Sequence, residues 1–123
     1  MSGNKFLLDT NAILYVLNGD QTLTDFLFEK ELYASIITEM ELLSYRNITD
    51  TEKRIIEDFL NEFVIININD RIKLDSIEVK KTSNMKLPDS IIAGTAIALK
   101  LPLVTSDRQF RTIKDLELVY YEK

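Results

Sequence analysis

The sequence contains no cysteine and no histidine, and these two absences remove many enzymatic options before any motif is considered. Without cysteine there is no disulfide, no thiolate metal ligand and no thiol nucleophile, a composition that fits a reducing compartment. Without histidine there is no imidazole general base, no triad containing one and no histidine-held zinc. Tryptophan is also missing, so aromatic packing falls to six Phe and five Tyr. Only three Gly and two Pro occur in 123 residues, and no linker, repeat or low-complexity segment interrupts the chain. Its apolar runs are too short to span a membrane, and Asp9 arrives too early for a secretory leader, so a cytoplasmic protein with no membrane contact is expected.

What is present reads as one folded domain over residues 1–123, with 46% hydrophobic residues to supply a core. Twenty acids against fifteen bases give a net charge of −5, which opposes a general nucleic-acid coating role. It does not oppose a metal-dependent nuclease, because divalent ions reverse the potential of an acidic cleft.

Lys5 to Leu8 reads as a strand stopped by Asp9-Thr10-Asn11, followed by a helix through Leu17 that ends near Asn18-Gly19. Thr22 to Lys30 has Leu23, Phe26 and Leu27 at helical spacing, and Leu32 to Ile37 reads as the second strand. Thr38 with Glu41, and Thr49 with Glu52, have capping-box spacing and predict helix starts; the second helix presents Ile55, Ile56, Phe59 and Leu60. Phe63 to Ile66 is a third strand, and a less regular helix follows from Asp70 to about Ser83. Pro88 suits the first turn of a helix from Asp89 to Lys100, whose small residues allow close approach to a sheet. Leu103-Val104-Thr105 is a fourth strand, and Leu116 to Tyr121 supplies a fifth. Alternating strands and helices predict an α/β fold with a mostly parallel sheet covered on both faces.

In such a sheet, sites form beside the carboxyl ends of the strands. Asp9 and Asp107 follow strands, and Glu41 and Asp89 are expected in first turns of helices, so residues a hundred apart become neighbours. Four clustered carboxylates would raise one another's pKa unless a cation intervened, and hard oxygen ligands suit Mg²⁺ or Mn²⁺. Each acid also has an ordinary explanation: Asp9 as a helix cap, Glu41 as the capping-box partner of Thr38, Asp89 as an anion near a helix N-terminus, Asp107 as a turn residue. Thr10, Asn11, Thr105 and Ser106 are able to orient a carboxylate, or simply to satisfy turn N–H groups. Lys80, Lys81, Lys86, Arg108 and Arg111 flank the acids and are candidates for an RNA backbone or for surface ion pairs.

Four stretches together resemble the PIN domain family, and within it the VapC-type ribonuclease toxins. They are Phe6-Leu7-Leu8-Asp9-Thr10-Asn11, Ile37-Thr38-Glu39-Met40-Glu41-Leu42-Leu43, Leu87-Pro88-Asp89-Ser90-Ile91-Ile92-Ala93-Gly94-Thr95-Ala96, and Leu103-Val104-Thr105-Ser106-Asp107-Arg108-Gln109-Phe110. The resemblance implies a three-layer α/β/α fold with about five strands. It further implies an RNA phosphodiesterase site in which Asp9, Glu41, Asp89 and Asp107 surround one or two Mg²⁺ or Mn²⁺ ions, with Thr105 assisting. It also implies a homodimer restrained by a small antitoxin protein; the Ile55 to Leu60 face is a candidate dimer contact or an ordinary core face. The family often has Gly shortly after its Glu-Leu motif, whereas this chain has Leu42-Leu43-Ser44-Tyr45.

Two rivals follow from the same residues. A phosphatase of the haloacid-dehalogenase kind would need a second Asp two places after Asp9, where Asn11 stands. A catalytically inactive PIN-like module binding RNA or protein would keep the motifs without turnover.

Overall fold

Short apolar segments separated by capped helices form one parallel sheet in the computed structural model, which describes residues 3–123. Strands β1 (Lys5–Leu8), β2 (Glu31–Ser35), β3 (Phe63–Ile66), β4 (Leu103–Thr105) and β5 (Leu118–Tyr120) lie in the order β3-β2-β1-β4-β5. All four neighbouring pairs are parallel, with Leu7 opposite both Tyr33 and Leu103, and Thr105 opposite Tyr120. The connections are α1 (Thr10–Leu17), α2 (Gln21–Leu27), α3 (Ile36–Leu43), α4 (Asp50–Leu60), α5 (Asp70–Thr82) and α6 (Leu87–Leu99), with a 3₁₀ turn over Arg108–Thr112. Among the described residues no helix is long and apolar enough to cross a membrane.

The alternation of side chains along a strand builds three layers from this sheet. Phe6 and Leu8 point to the face covered by α1, α2, α3 and α4, where Ala12, Ile13, Leu23, Leu42, Ile56 and Leu60 join them. Leu7 points to the other face, against Val79 of α5 and Ile92, Ala93 and Ala96 of α6. Leu7 and Leu8 are fully buried, each worth roughly 1.5–3 kcal/mol of transfer free energy. Gly94 sets the approach of α5 to α6, because a Cβ there would lie 2.1 Å from Ser76 Oγ and 2.7 Å from its backbone nitrogen.

Caps account for most boundaries. Asp9, Asp20, Thr49 and Asn69 accept from backbone N–H groups at the starts of α1, α2, α4 and α5, and Thr49 with Glu52 makes a complete capping box. Gly19, with φ of +92°, supplies the left-handed exit after α1.

Helix α2 ends at Leu27 instead of Lys30, α6 starts at Leu87 instead of Asp89, β5 starts at Leu118 instead of Leu116, and one further departure bears on the site. The second strand ends at Ser35 instead of Ile37, and α3 starts at Ile36 instead of Thr38. Ser35 Oγ accepts from Ile37 N at 3.0 Å, so a serine cap overrides the strand preference of two isoleucines. Thr38 is therefore a fully buried residue inside the helix, and Glu41 lies in its second turn with no capping role. On α4 the apolar face is narrower than the spacing suggests, since Ile56 and Leu60 are buried but Ile55 is exposed.

Candidate active site

The order of the strands makes the site. From β1 the chain steps outward to β2 and β3, then returns past β1 to β4 and β5, so β1 and β4 are neighbours whose connections leave in opposite directions. Such a switch point opens a crevice at the carboxyl ends of the strands. Asp9 directly follows β1 and Asp107 follows β4 by one residue, which sets both at that crevice. Glu41 reaches it from α3 and Asp89 from the first turn of α6. All four carboxylates line one cavity of about 370 Å³, together with Thr10, Asn11, Ser44, Tyr45, Ile92 and Phe110.

Asp9 is the most constrained of the four. It is 5% exposed, its Oδ1 accepts from Ala12 N at 2.8 Å, and its Oδ2 accepts from the Thr105 hydroxyl at 2.5 Å. Thr105 is fully buried and its Oγ1 also accepts from Asp107 N at 3.0 Å, so one hydroxyl ties the first aspartate to the backbone of the last. Burial pushes the Asp9 carboxyl up to about 6, helped by the nearby charges of Asp107 and Asp89 and opposed by its two hydrogen bonds. Burial also raises Asp89, with Asp107 and Glu41 adding repulsion and Lys86 pulling the other way.

Glu41 is held differently. Its Oε1 accepts from the Thr10 hydroxyl at 2.6 Å, and Thr10 Oγ1 lies 3.3 Å from Thr38 Oγ1, which joins α1 to α3 across the cavity. Asp107 caps the 3₁₀ turn through Gln109 N at 2.9 Å. Its turn role and its place in the cavity are therefore compatible.

The donor set fits a hard divalent cation: it is all oxygen, the chain has no thiol or imidazole, and two of its carboxyls are raised first by burial and further by neighbouring negative charge. No group of three or more acidic side chains among the described residues forms a ready-made metal cage, so the four acids share a cavity without converging on one preformed point. The flanking cations do not enter it. Lys80 and Lys81 lie in the last turn of α5, Arg111 stacks over the Tyr120 ring at 5.0 Å, and none of Lys80, Lys81, Lys86, Arg108 or Arg111 lines the cavity.

The model of the PIN domain matches residues 6–116, from within the first strand to beyond Asp107, the last of the four site acids. The chain belongs to the PIN domain family. Solved structures agree with that assignment at the level of the whole fold. A toxin–antitoxin complex from Klebsiella pneumoniae is 28% identical, with a TM-score of 0.81 over 96% of this chain and 99% of the other. VapBC2 from Rickettsia felis, bound to a promoter DNA fragment, superposes with a TM-score of 0.85 at 22% identity, covering 96% and 99%. VapBC-1 from nontypeable Haemophilus influenzae gives 0.77 at 24% identity over 94% and 97%. Comparison with curated proteins finds no match.

Within this PIN domain, sequence reasoning passes over four lining residues: Ser44, Tyr45, Ile92 and Phe110. Their spacing carried a signal. Tyr45 is four residues after Glu41, and Ile92 and Phe110 are each three after an acid, the separations at which a helix or tight turn brings side chains to one side. Apolar residues at those positions read as core, and Phe110 is indeed both core and cavity floor.

Proposed function

We propose that this PIN domain is a metal-dependent endoribonuclease, the toxin of a toxin–antitoxin pair. The observation that carries the reading is the meeting of Asp9, Glu41, Asp89 and Asp107, from four separate elements, in one cavity at the β1/β4 switch point. These four residues would hold one or two Mg²⁺ or Mn²⁺ ions. A divalent cation bound there supplies an acidified water as nucleophile and charge stabilisation for phosphodiester hydrolysis.

The chain's own groups prepare that chemistry. Thr105 and the Ala12 N–H fix both oxygens of Asp9, and Thr10 fixes one oxygen of Glu41, so two carboxylates keep their orientation before substrate arrives. Raised pKa values at Asp9 and Asp89 mark a site that gains stability from added positive charge. No histidine is present to take a proton from an RNA 2′-hydroxyl, which favours water as nucleophile and products ending in 5′-phosphate and 3′-hydroxyl.

The toxin assignment draws on the Klebsiella relative, whose description is a toxin–antitoxin complex. A small antitoxin is the expected protein partner in the cytoplasm. A homodimer is the expected assembly, with exposed Ile55 on α4 as a candidate contact.

The test is cleavage of defined RNAs with and without Mg²⁺ or Mn²⁺, with Asp9→Asn in parallel. Metal-dependent cleavage by the parent, reduced at least about a hundredfold in the variant, is expected, because even groups that merely orient a ligand are worth roughly 10–100-fold. Ends bearing 2′,3′-cyclic phosphate would contradict hydrolysis by water. Equal cleavage by parent and variant would assign the activity to a contaminant, and silence across a broad RNA panel would favour a binding-only domain.

A further inference from the structure

Tyr45 opens on two cavities at once. It lines the acidic cavity, and it also lines a second cavity of about 540 Å³ between α1 and α4, where Leu14, Leu17, Ile48 and Ile56 make an apolar wall. Tyr45 is 48% exposed, so it is accessible to a ligand lying across both cavities. The next residue, Arg46, also lines the second cavity and is the only Lys or Arg among the residues lining either one.

We propose that Tyr45 is the stacking platform for a nucleobase of single-stranded RNA whose phosphate occupies the acidic cavity, with Arg46 meeting an adjacent phosphate. The inference rests on the nuclease reading and adds to it a specificity-determining residue. A nucleotide joins a flat, largely apolar base to an anionic phosphate, and Tyr45 stands where an apolar wall meets a cation-seeking pocket. Aromatic rings hold unpaired bases by stacking, and a duplex would keep its bases out of reach. Asn18 and Asn47 on the same wall offer amide groups to the edge of a base. A protein helix laid in the second cavity would use the apolar wall alone, with no need of a residue that also lines the acidic cavity.

The test uses single-stranded oligoribonucleotides carrying 2-aminopurine at successive positions, bound to the full chain with Ca²⁺ to neutralise the acidic cavity and, separately, cleaved with Mn²⁺. Binding should quench one position most strongly. Tyr45→Leu should weaken binding about tenfold and raise KM by the same factor, with kcat within about threefold, the size set by one base–aromatic stack. Tyr45→Phe, which keeps the ring, should restore both. An abasic residue at the quenched position should cost the parent the same tenfold and cost Tyr45→Leu nothing further.

Additive losses, equal affinity of parent and Tyr45→Leu, or no RNA binding by the parent would overturn the proposal; with equal affinity the ring is left to a protein partner. A parent that binds and quenches but cleaves nothing would support the stacking and defeat the nuclease reading. Cleavage with an unchanged KM in Tyr45→Leu would do the reverse.

Discussion

The strand-borne and helix-borne halves of the acidic cavity hold their carboxylates by different means. Asp9 and Asp107 leave adjacent strands, and the buried Thr105 hydroxyl links them, so their separation is fixed by the β1/β4 pairing. Glu41 and Asp89 ride on α3 and α6, half-buried, and their relation to the strand side depends on helix packing and on the Thr10 contact. The first arrangement gives precision at the cost of burying the Asp9 charge; the second leaves its two acids half-buried and adjustable. A cavity with four acids but no ready-made cage is the expected product of one rigid and one compliant half.

The largest expected effect therefore falls on Asp9. A carboxyl that rises from 3.8 unfolded to about 6 folded binds more protons in the native state across that interval. Its contribution to stability is present below about pH 4, is lost as pH rises to about 6, and stays lost at neutral pH. At 1.36 kcal/mol per unit, two units amount to at most about 3 kcal/mol. Asp9→Asn keeps a good helix cap and removes the charge, so urea denaturation in EDTA should show the variant more stable than the parent at pH 7 and little different at pH 4. Millimolar Mg²⁺ or Mn²⁺ should stabilise the parent and not the variant. A variant less stable than the parent at pH 7 would mean that the strand-borne half carries no electrostatic strain.

The next effect tests what holds that half together. Thr105→Val keeps the shape but removes the donor to Asp9 and the acceptor for Asp107 N. A hydrogen bond to a charged group is worth roughly 1.5–3 kcal/mol, and stability at pH 7 should fall by that amount. Cleavage should fall roughly 10–100-fold, as for other groups that orient metal ligands. Unchanged denaturation and unchanged cleavage would show that strand pairing alone positions the two aspartates.

How much of this is legible in the sequence follows the same division. The strand-borne half is readable because short apolar runs ending in Asp announce themselves locally, and β1 and β4 stand where Leu8-Asp9 and Thr105-Ser106-Asp107 place them. The helix-borne half is harder. Thr38 and Glu41 have the spacing of a capping box, yet Ser35 caps the helix three residues earlier and turns Thr38 inward against Thr10. Nothing local distinguishes those outcomes, because the decision lies in a contact between residues 28 positions apart. Tyr45 is missed for a related reason: an aromatic after Leu42-Leu43 reads as core, and only the packing of α1 against α3 and α4 leaves it half-exposed between two cavities.

The smallest expected effect comes from the compliant half. Thr10→Val removes the hydroxyl that donates to Glu41 at 2.6 Å, leaving a half-buried carboxylate with access to water. The lost bond should cost less than about 1 kcal/mol of stability, since solvent replaces it. Cleavage should fall about tenfold or less, the low end for a group that orients a ligand. Thr10→Ser keeps the hydroxyl and should recover the difference, and the ratio of Thr105→Val to Thr10→Val then measures how unequal the two halves are. Equal losses from the two valine variants, in both cleavage and denaturation midpoint, would remove the distinction and make Glu41 as tightly positioned as Asp9.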